Sequence, residues 1–392
     1  MKNLFIFWVE PLNLTGGGIH RCIVTLLKYL PSRGFNVYYL YSQDSYETFH
    51  YQTKDGKDCV FTLSDLRDFL ITQKCELILG QDAVFTAVFT KVVKNLNLPK
   101  VKFINQYHGS LLYLTSKLTW DYLKFEWANN PHFSSRIGII MRGLFYPLWR
   151  FNVRRVQNNI FRYNYINSDL TLFLSEFEIP IMEKIIGDTS LKKCVAIPNP
   201  LSWEEISTPD ILKDKQKEVL IVSRINNPEK RIDLALKVWK ILENKGATKD
   251  WTLRIVGDGI HKDYLIEMAR VMHLHNVVWE SRQDPRPFYK RASIFLLTSV
   301  AEGWALTLTE SMQMGVVPIA FNSYPAVNSI ITDGYDGYLI PTKDLKKMAE
   351  KLMRLMQNKE TREQLALNGL QSCRRFTIDS VMDQWRDMLN KL

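Results

Sequence analysis

The stretch from Ser293 to Ala320 constrains this chain more than any other. An apolar run, Ser293-Ile294-Phe295-Leu296-Leu297-Thr298, reads as a buried strand, and Leu306 to Met314 reads as a helix stopped by Gly315. Between them Glu302-Gly303-Trp304 is poorly suited to a helix, and Gly315-Val316-Val317-Pro318-Ile319-Ala320 returns at once to an apolar strand. Strand, glycine loop, helix is a ligand-binding turn. The spacing puts Glu302 at the strand's carboxyl end and Glu310 inside the helix. Backbone N–H groups at Ala305, Leu306 and Thr307, with the positive end of the helix dipole, suit a phosphate. Carboxylates suit sugar and ribose hydroxyls, because charge-assisted hydrogen bonds are about twice as strong as neutral ones. Two glutamates at this spacing are more often solvated surface charge. Here Glu302 follows a buried strand and Glu310 is flanked by apolar residues, which sharpens the signal.

These residues closely resemble the E-x7-E signature of retaining glycosyltransferases of family 4. The resemblance implies an α/β chain of GT-B fold, with two Rossmann-like domains facing across a cleft. Residues 1–200 would form the acceptor domain and 201–375 the nucleotide-sugar donor domain, while 376–392 would be a terminal helix crossing back to the first. The reaction implied is metal-independent transfer of a hexose or N-acetylhexosamine from a nucleotide diphosphate sugar, with UDP favoured and GDP possible. The acceptor would be a glycan or lipid-linked glycan of cell-surface polysaccharide synthesis.

Composition narrows the setting. The chain has 392 residues, 46% hydrophobic and 23% charged, as in two ordinary globular domains. Cys22, Cys59, Cys75, Cys194 and Cys373 are scattered and form no C-x-x-C pair, so neither a disulfide framework nor a zinc site is expected, and a reducing cytosol fits best. Met1 to Glu10 mimics a signal peptide, but its apolar run is short and reads as the first strand. The formal net charge of +10 suits an anionic partner.

Taken in order, the first strand runs into Pro11 to Gly18 and then into a helical pattern with Ile19, Ile23, Leu26, Leu27 and Leu30 on one face. The loop lacks dinucleotide-site glycine spacing. The resemblance implies that Gly17 and Gly18 lie beneath the donor's diphosphate and the acceptor. Asn36 to Tyr41, Leu77 to Leu79 and Val101 to Ile104 read as short strands separated by segments long enough for helices, which indicates a parallel sheet. A fourth or fifth strand ends at His108, where open sheets bind ligands. Alone, His108 reads as a hydrogen-bonded loop histidine; the resemblance places it near the reacting carbon of the donor sugar.

From about 110 to 165 the chain turns basic and aromatic. Lys117, Lys124, Arg136, Arg142, Arg150, Arg154, Arg155 and Arg162 face only Asp121 and Glu126, among aromatics that include Trp120, Trp127, Trp149 and Phe151. Arginine beside Trp and Phe is the composition of an interfacial segment. Internal packing of the aromatics and a single-strand nucleic-acid platform are the rival readings. Membrane or lipid-linked acceptor contact through Trp149, Arg150, Arg154 and Arg155 is preferred, with no nucleic acid expected. The localisation expected is cytoplasmic, peripheral on the inner face of the membrane.

The second half opens with Glu218 to Arg224, a buried strand with a charged end, followed by a Pro-bearing turn to Lys230. By the resemblance Arg224 and Lys230 grip the donor's phosphates and form the catalytic set with His108 and Glu302. Gly303, Trp304, Ala305, Leu306, Thr307, Glu310 and Arg282 line the donor, with Glu310 on the ribose diol. The chain has no Asp-x-Asp pair, so no cofactor or metal is expected, and two cations and a helix terminus stabilise the leaving diphosphate. The alternative is a non-catalytic basic membrane-surface or nucleic-acid binding protein on a Rossmann-like scaffold; it leaves Glu302, Glu310, Arg224 and Lys230 without a purpose.

Overall fold

The computed structural model describes all residues except 14–16, 43–47, 53–57, 83–86, 99, 114–117 and 130–132. Gly16 of the glycine loop and Lys117 of the basic segment lie outside the described residues. The chain divides into two compact units, one made of 1–111, 145–200 and 378–392, the other of 112–144 and 201–377. The terminal helix Ile378–Asn390 therefore belongs to the first unit, with Val381, Met382 and Trp385 in that unit's core. The expected basic insertion is divided: Leu112 to Leu144 group with the second unit, not with the first. One tie is the Tyr113 hydroxyl, which donates to the Glu229 carboxylate.

The first unit holds strands β1 (Lys2–Trp8), β2 (Phe35–Tyr41), β3 (Thr48–Gln52), β4 (Asp58–Thr62), β5 (Leu77–Asp82), β6 (Lys102–Tyr107), β7 (Leu170–Phe173) and β8 (Cys194–Ala196). Their order is β4-β3-β2-β1-β5-β6-β7-β8, parallel from β2 to β8. The antiparallel pair β3 and β4 at the edge is a departure from the expected alternation of strand and helix. Alternate residues of β1 show why the sheet is buried on both faces: Leu4, Ile6 and Trp8 enter one apolar cluster, Phe5 and Phe7 the other. The order in which strands are added switches sides between β1 and β5, so the loops after those two parallel strands flank a crevice of the kind that takes ligands.

The second unit holds β9 (Glu218–Val222), β10 (Thr252–Val256), β11 (Val277–Glu280), β12 (Ile294–Leu297), β13 (Val317–Asn322) and β14 (Tyr338–Pro341). All pairs are parallel, in the order β11-β10-β9-β12-β13-β14. This is the doubly wound order whose switch point lies between the first and fourth strands, here β9 and β12. The strand pair that the sequence marks with Arg224 and Glu302 is the pair at that switch point.

Candidate active site

At the switch point the loops after β9 and β12 are tied together. Lys230 ends the short helix Asn227–Lys230, and its ammonium donates to Glu302 Oε1 at 2.5 Å. Both side chains are mostly enclosed, 19% and 14% exposed, so the pair works in a partly dehydrated setting where its attraction is stronger than on the surface. Two further bonds fix the loops: Thr298 Oγ1 donates to the Lys230 carbonyl at 3.1 Å, and the Val300 amide to the Glu229 carbonyl at 2.9 Å. The expected picture had Lys230 and Arg224 converging on one anion. Instead one of the three N–H groups of Lys230 is held by Glu302, while Arg224 extends outward with its side chain 73% exposed, 3.9 Å from the Glu229 carboxylate.

Gly257 and Gly259, which follow β10, make this arrangement possible. Their φ angles are +151° and +157°, and a Cβ would stand 1.8 Å from the Ser223 carbonyl oxygen at the first and 2.4 Å from that of Ile225 at the second. Only glycine lets this backbone close on the strand end that carries Arg224. Three buried polar atoms near the Glu302 loop, Ser299 Oγ, Trp304 Nε1 and the Tyr324 hydroxyl, have no hydrogen-bond partner among the described residues. Tyr324 follows β13, and burial, then the nearby Glu302 charge, pushes its pKa well above the ordinary tyrosine value. Buried polar groups without partners are costly, and such groups beside a switch point suit a polar ligand.

The helix Leu306–Gln313 starts at Ala305 with no side-chain cap among the described residues, a start of the kind that can accept an anion. One member of the expected amide trio is occupied, since the Leu306 N–H donates to the Trp304 carbonyl at 3.1 Å. Trp304 is buried edge-on against Phe376, ring centroids 5.2 Å apart. Glu310 is fully enclosed, not open to solvent: Ser202 Oγ donates to Oε1 at 2.6 Å and the Tyr289 hydroxyl to Oε2 at 3.1 Å. A ribose diol would have to share those oxygens with Ser202 and Tyr289. Gly303 is half-buried in the loop. Arg282 is not brought to this cluster: it is exposed beyond β11, the edge strand, with β10 between it and β9.

In the first unit Gly17 caps the helix Gly18–Tyr29, and both Gly17 and Gly18 are exposed. His108 directly follows β6, is 8% exposed, and pairs through Nε2 with the side-chain oxygen of Gln81 on β5. Burial pushes its pKa down to about 3, so the imidazole is neutral near pH 7 and acts as a hydrogen-bonding group, not a cation. The loop after it is pinned from two sides: the Leu111 amide donates to Glu178 Oε2 at 3.1 Å, and the Leu111 carbonyl accepts from Gln157 at 3.2 Å. Burial pushes the Glu178 carboxyl up to about 7, against hydrogen bonds from Ser110 and Leu111.

Gln157 lies on the helix Tyr146–Ile166, which carries Arg150, Arg154, Arg155 and Arg162 and no acidic residue. Its buried side presents Gln157, Phe161 and Asn164, whereas Leu148, Phe151, Val156 and Ile166 are exposed. Arg154 and Arg155 are exposed as expected of a contact surface; Trp149 and Arg150 are half-buried, the latter stacked 5.3 Å from the Tyr146 ring. Among the described residues no helix is long and apolar enough to cross a membrane.

Ser202, Tyr289, Tyr324, Gln81, Glu178 and the paired glycines at 257 and 259 were not singled out as site residues from sequence. Tyr324 was open to the same reasoning as Glu302, being in a loop after an apolar strand. Ser202 and Tyr289 carry no local signal, since what brings them to Glu310 is the fold of distant segments.

The family model for glycosyl transferases group 1 matches residues 204–372, the stretch that holds the Lys230 and Glu302 pair. An uncharacterized glycosyltransferase of Haemophilus influenzae is 25% identical over 271 residues, 64% of this chain and 74% of that protein. The amylovoran biosynthesis glycosyltransferase AmsD of Erwinia amylovora is 28% identical over 184 residues, 46% of this chain and only 50% of the relative. The crystal structure of Anabaena HepE in complex with UDP superposes with a TM-score of 0.68 at 15% identity, covering 100% of both chains. Residues 204–372 are a domain of the glycosyl transferases group 1 family, and the chain that carries them has the GT-B fold.

Proposed function

We propose that this GT-B glycosyltransferase moves a hexose or N-acetylhexosamine from a nucleotide diphosphate sugar to a glycan or lipid-linked acceptor, with retention at the anomeric carbon. The observation that carries the reading is the Lys230 and Glu302 pair at the switch point between β9 and β12, beside an uncapped helix start. UDP is the favoured nucleotide, which the UDP complex of the similar Anabaena fold supports. A role in polysaccharide synthesis is supported by the amylovoran relative.

In the reaction the bond from the anomeric carbon to the phosphate oxygen breaks, and a bond to the acceptor oxygen forms on the same face of the sugar. The acceptor's proton passes to the departing phosphate oxygen. Charge grows on the diphosphate as it leaves. Arg224, the spare N–H groups of Lys230 and the start of the helix at Leu306 stabilise that charge without a metal ion. Glu302 orients Lys230 and accepts from sugar hydroxyls, and neutral His108 hydrogen-bonds the sugar without adding positive charge beside a cationic ring. Glycosidases use two carboxyls facing each other across the scissile bond; the enclosed Glu310 is not placed as such a partner, and Glu302 is not assigned as a nucleophile.

The acid-free helix Tyr146–Ile166, with exposed Leu148, Phe151, Arg154 and Arg155, suits peripheral contact with an anionic membrane carrying the acceptor. Nucleotide-sugar turnover by the purified protein tests the activity. Lys230→Ala and Glu302→Ala should each abolish transfer in a chain that still folds, and full activity in either would defeat the proposal.

A further inference from the structure

Gly17 and Gly18 open the helix Gly18–Tyr29. Gly17 and Gly18 have no side chains, a Cβ on Gly17 would meet nothing within 4 Å, and the helix has no side-chain cap. Glycine backbone loses more conformational freedom on ordering than any other, so a loop that must present it in one geometry needs an external tether. Among the described residues His20 supplies such a tether.

His20 lies in the first turn of that helix, is 8% exposed, and stands edge-on to Trp8 with ring centroids 6.5 Å apart at 89°. Its two ring nitrogens take two different partners from the loop. Nδ1 accepts the Asn13 amide at 3.3 Å, and Nε2 faces Glu10 Oε2 at 3.0 Å. Accepting at Nδ1 requires a lone pair there, so the proton sits on Nε2 and is donated to the Glu10 carboxylate. The far end of the loop is tied as well, since the Tyr39 hydroxyl donates to the Glu10 carbonyl at 2.5 Å. One imidazole thus links residues 10, 13 and 20, and the chain that enters the glycines is fixed to the helix that leaves them.

We propose that His20 is a positioning residue for transfer: through Asn13 and Glu10 it fixes the chain after β1 against the helix start at Gly17 and Gly18 in the placement that turnover needs. The inference rests on the reading that Gly17 and Gly18 take part in binding the reactants. It assigns His20 no contact with substrate.

The test compares His20→Leu, which keeps bulk but loses both bonds, with His20→Gln, whose amide supplies one acceptor and one donor. Glu10→Gln is the control should His20→Leu fail to fold, because Glu10 is a largely exposed side chain whose loss spares the core. UDP affinity is measured by calorimetry, and turnover by release of UDP from UDP-glucose, UDP-galactose and their N-acetyl forms. The expected result is a fall in kcat of about 10- to 100-fold in His20→Leu with UDP affinity within about two-fold of wild type. His20→Gln should recover most of the rate and Glu10→Gln should fall between them. Wild-type kcat in His20→Leu, or a loss in His20→Gln as deep as in His20→Leu, overturns the assignment; for an unfolded His20→Leu, an unchanged Glu10→Gln does so. Should wild type neither bind UDP nor turn over any of these donors, the reading beneath the inference fails instead.

Discussion

Replacing Glu178 by glutamine isolates one buried carboxyl and has a calculable signature. Glu178 is 3% exposed, accepts the Leu111 amide at Oε2, and has no partner at Oε1 among the described residues. Its carboxyl is raised from 4.5 to about 7, because burial disfavours the charge more than its hydrogen bonds repay. A carboxyl with a folded value above its unfolded one binds its proton more tightly when folded. Its contribution to stability is complete below about pH 4.5 and is lost as pH rises to about 7. Applying the linkage relation to those two values, wild type loses on the order of 2–3 kcal/mol between pH 5 and pH 8 through this group alone. Glu178→Gln keeps the shape and a carbonyl for Leu111 but does not ionise. The stability difference between variant and wild type should therefore move by on the order of 2–3 kcal/mol in the variant's favour across that interval. Urea denaturation at pH 5, 6, 7 and 8, followed by fluorescence, measures it. A difference that stays constant with pH would show that Glu178 ionises in the fold as freely as in the unfolded chain, and would refute the argument.

Three other outcomes follow from the geometry. Lys230→Met and Glu302→Leu should each destabilise the chain by about 3–5 kcal/mol, because each leaves an uncompensated enclosed charge, whereas the double change should recover most of that loss and still lack activity; denaturation midpoints of the four proteins form the cycle. Gly257→Ala forces a Cβ to 1.8 Å from the Ser223 carbonyl, so the loop bearing Arg224 must shift, at a cost of roughly 3 kcal/mol and with weakened UDP binding by calorimetry. Changing exposed Arg154 and Arg155 to glutamine should reduce sedimentation with anionic vesicles and leave neutral vesicles unaffected; unchanged sedimentation removes the membrane contact.

Much of this architecture was legible from periodicity. The apolar runs at Ile294–Leu297 and Val317–Asn322 are of strand length, bounded by loop and glycine signals, and fit a sheet buried on both faces, while Gly315 ends the intervening helix at φ +62° as its type allows. The β3 and β4 hairpin was not legible, because Asp58–Thr62 alternates exposed and half-buried positions at an edge and carries no continuous apolar signal. In the site, strand-end logic put Glu302 and His108 after buried strands, and the family resemblance gave His108, Arg224 and Lys230 their expected roles; neither told which of them pair. That Lys230 lies on Glu302 while Arg224 reaches outward depends on where Gly257 and Gly259 let the backbone close, a matter of three-dimensional fit. Spacing likewise could not tell that Glu310 would be enclosed by Ser202 and Tyr289, which come from distant parts of the chain. The basic segment was read from composition, and composition cannot distinguish half-buried Arg150 from exposed Arg154 on one helix.

The central claim is that the second unit grips a nucleotide diphosphate through Arg224, Lys230 and the helix start at Leu306. Calorimetric titration of UDP into wild type and into the Arg224→Ala, Lys230→Ala double variant addresses it without knowledge of the sugar or the acceptor. Removing two charge-assisted contacts should weaken binding by at least roughly 100-fold while the variant stays folded by circular dichroism. Equal affinity in the two proteins would contradict the account.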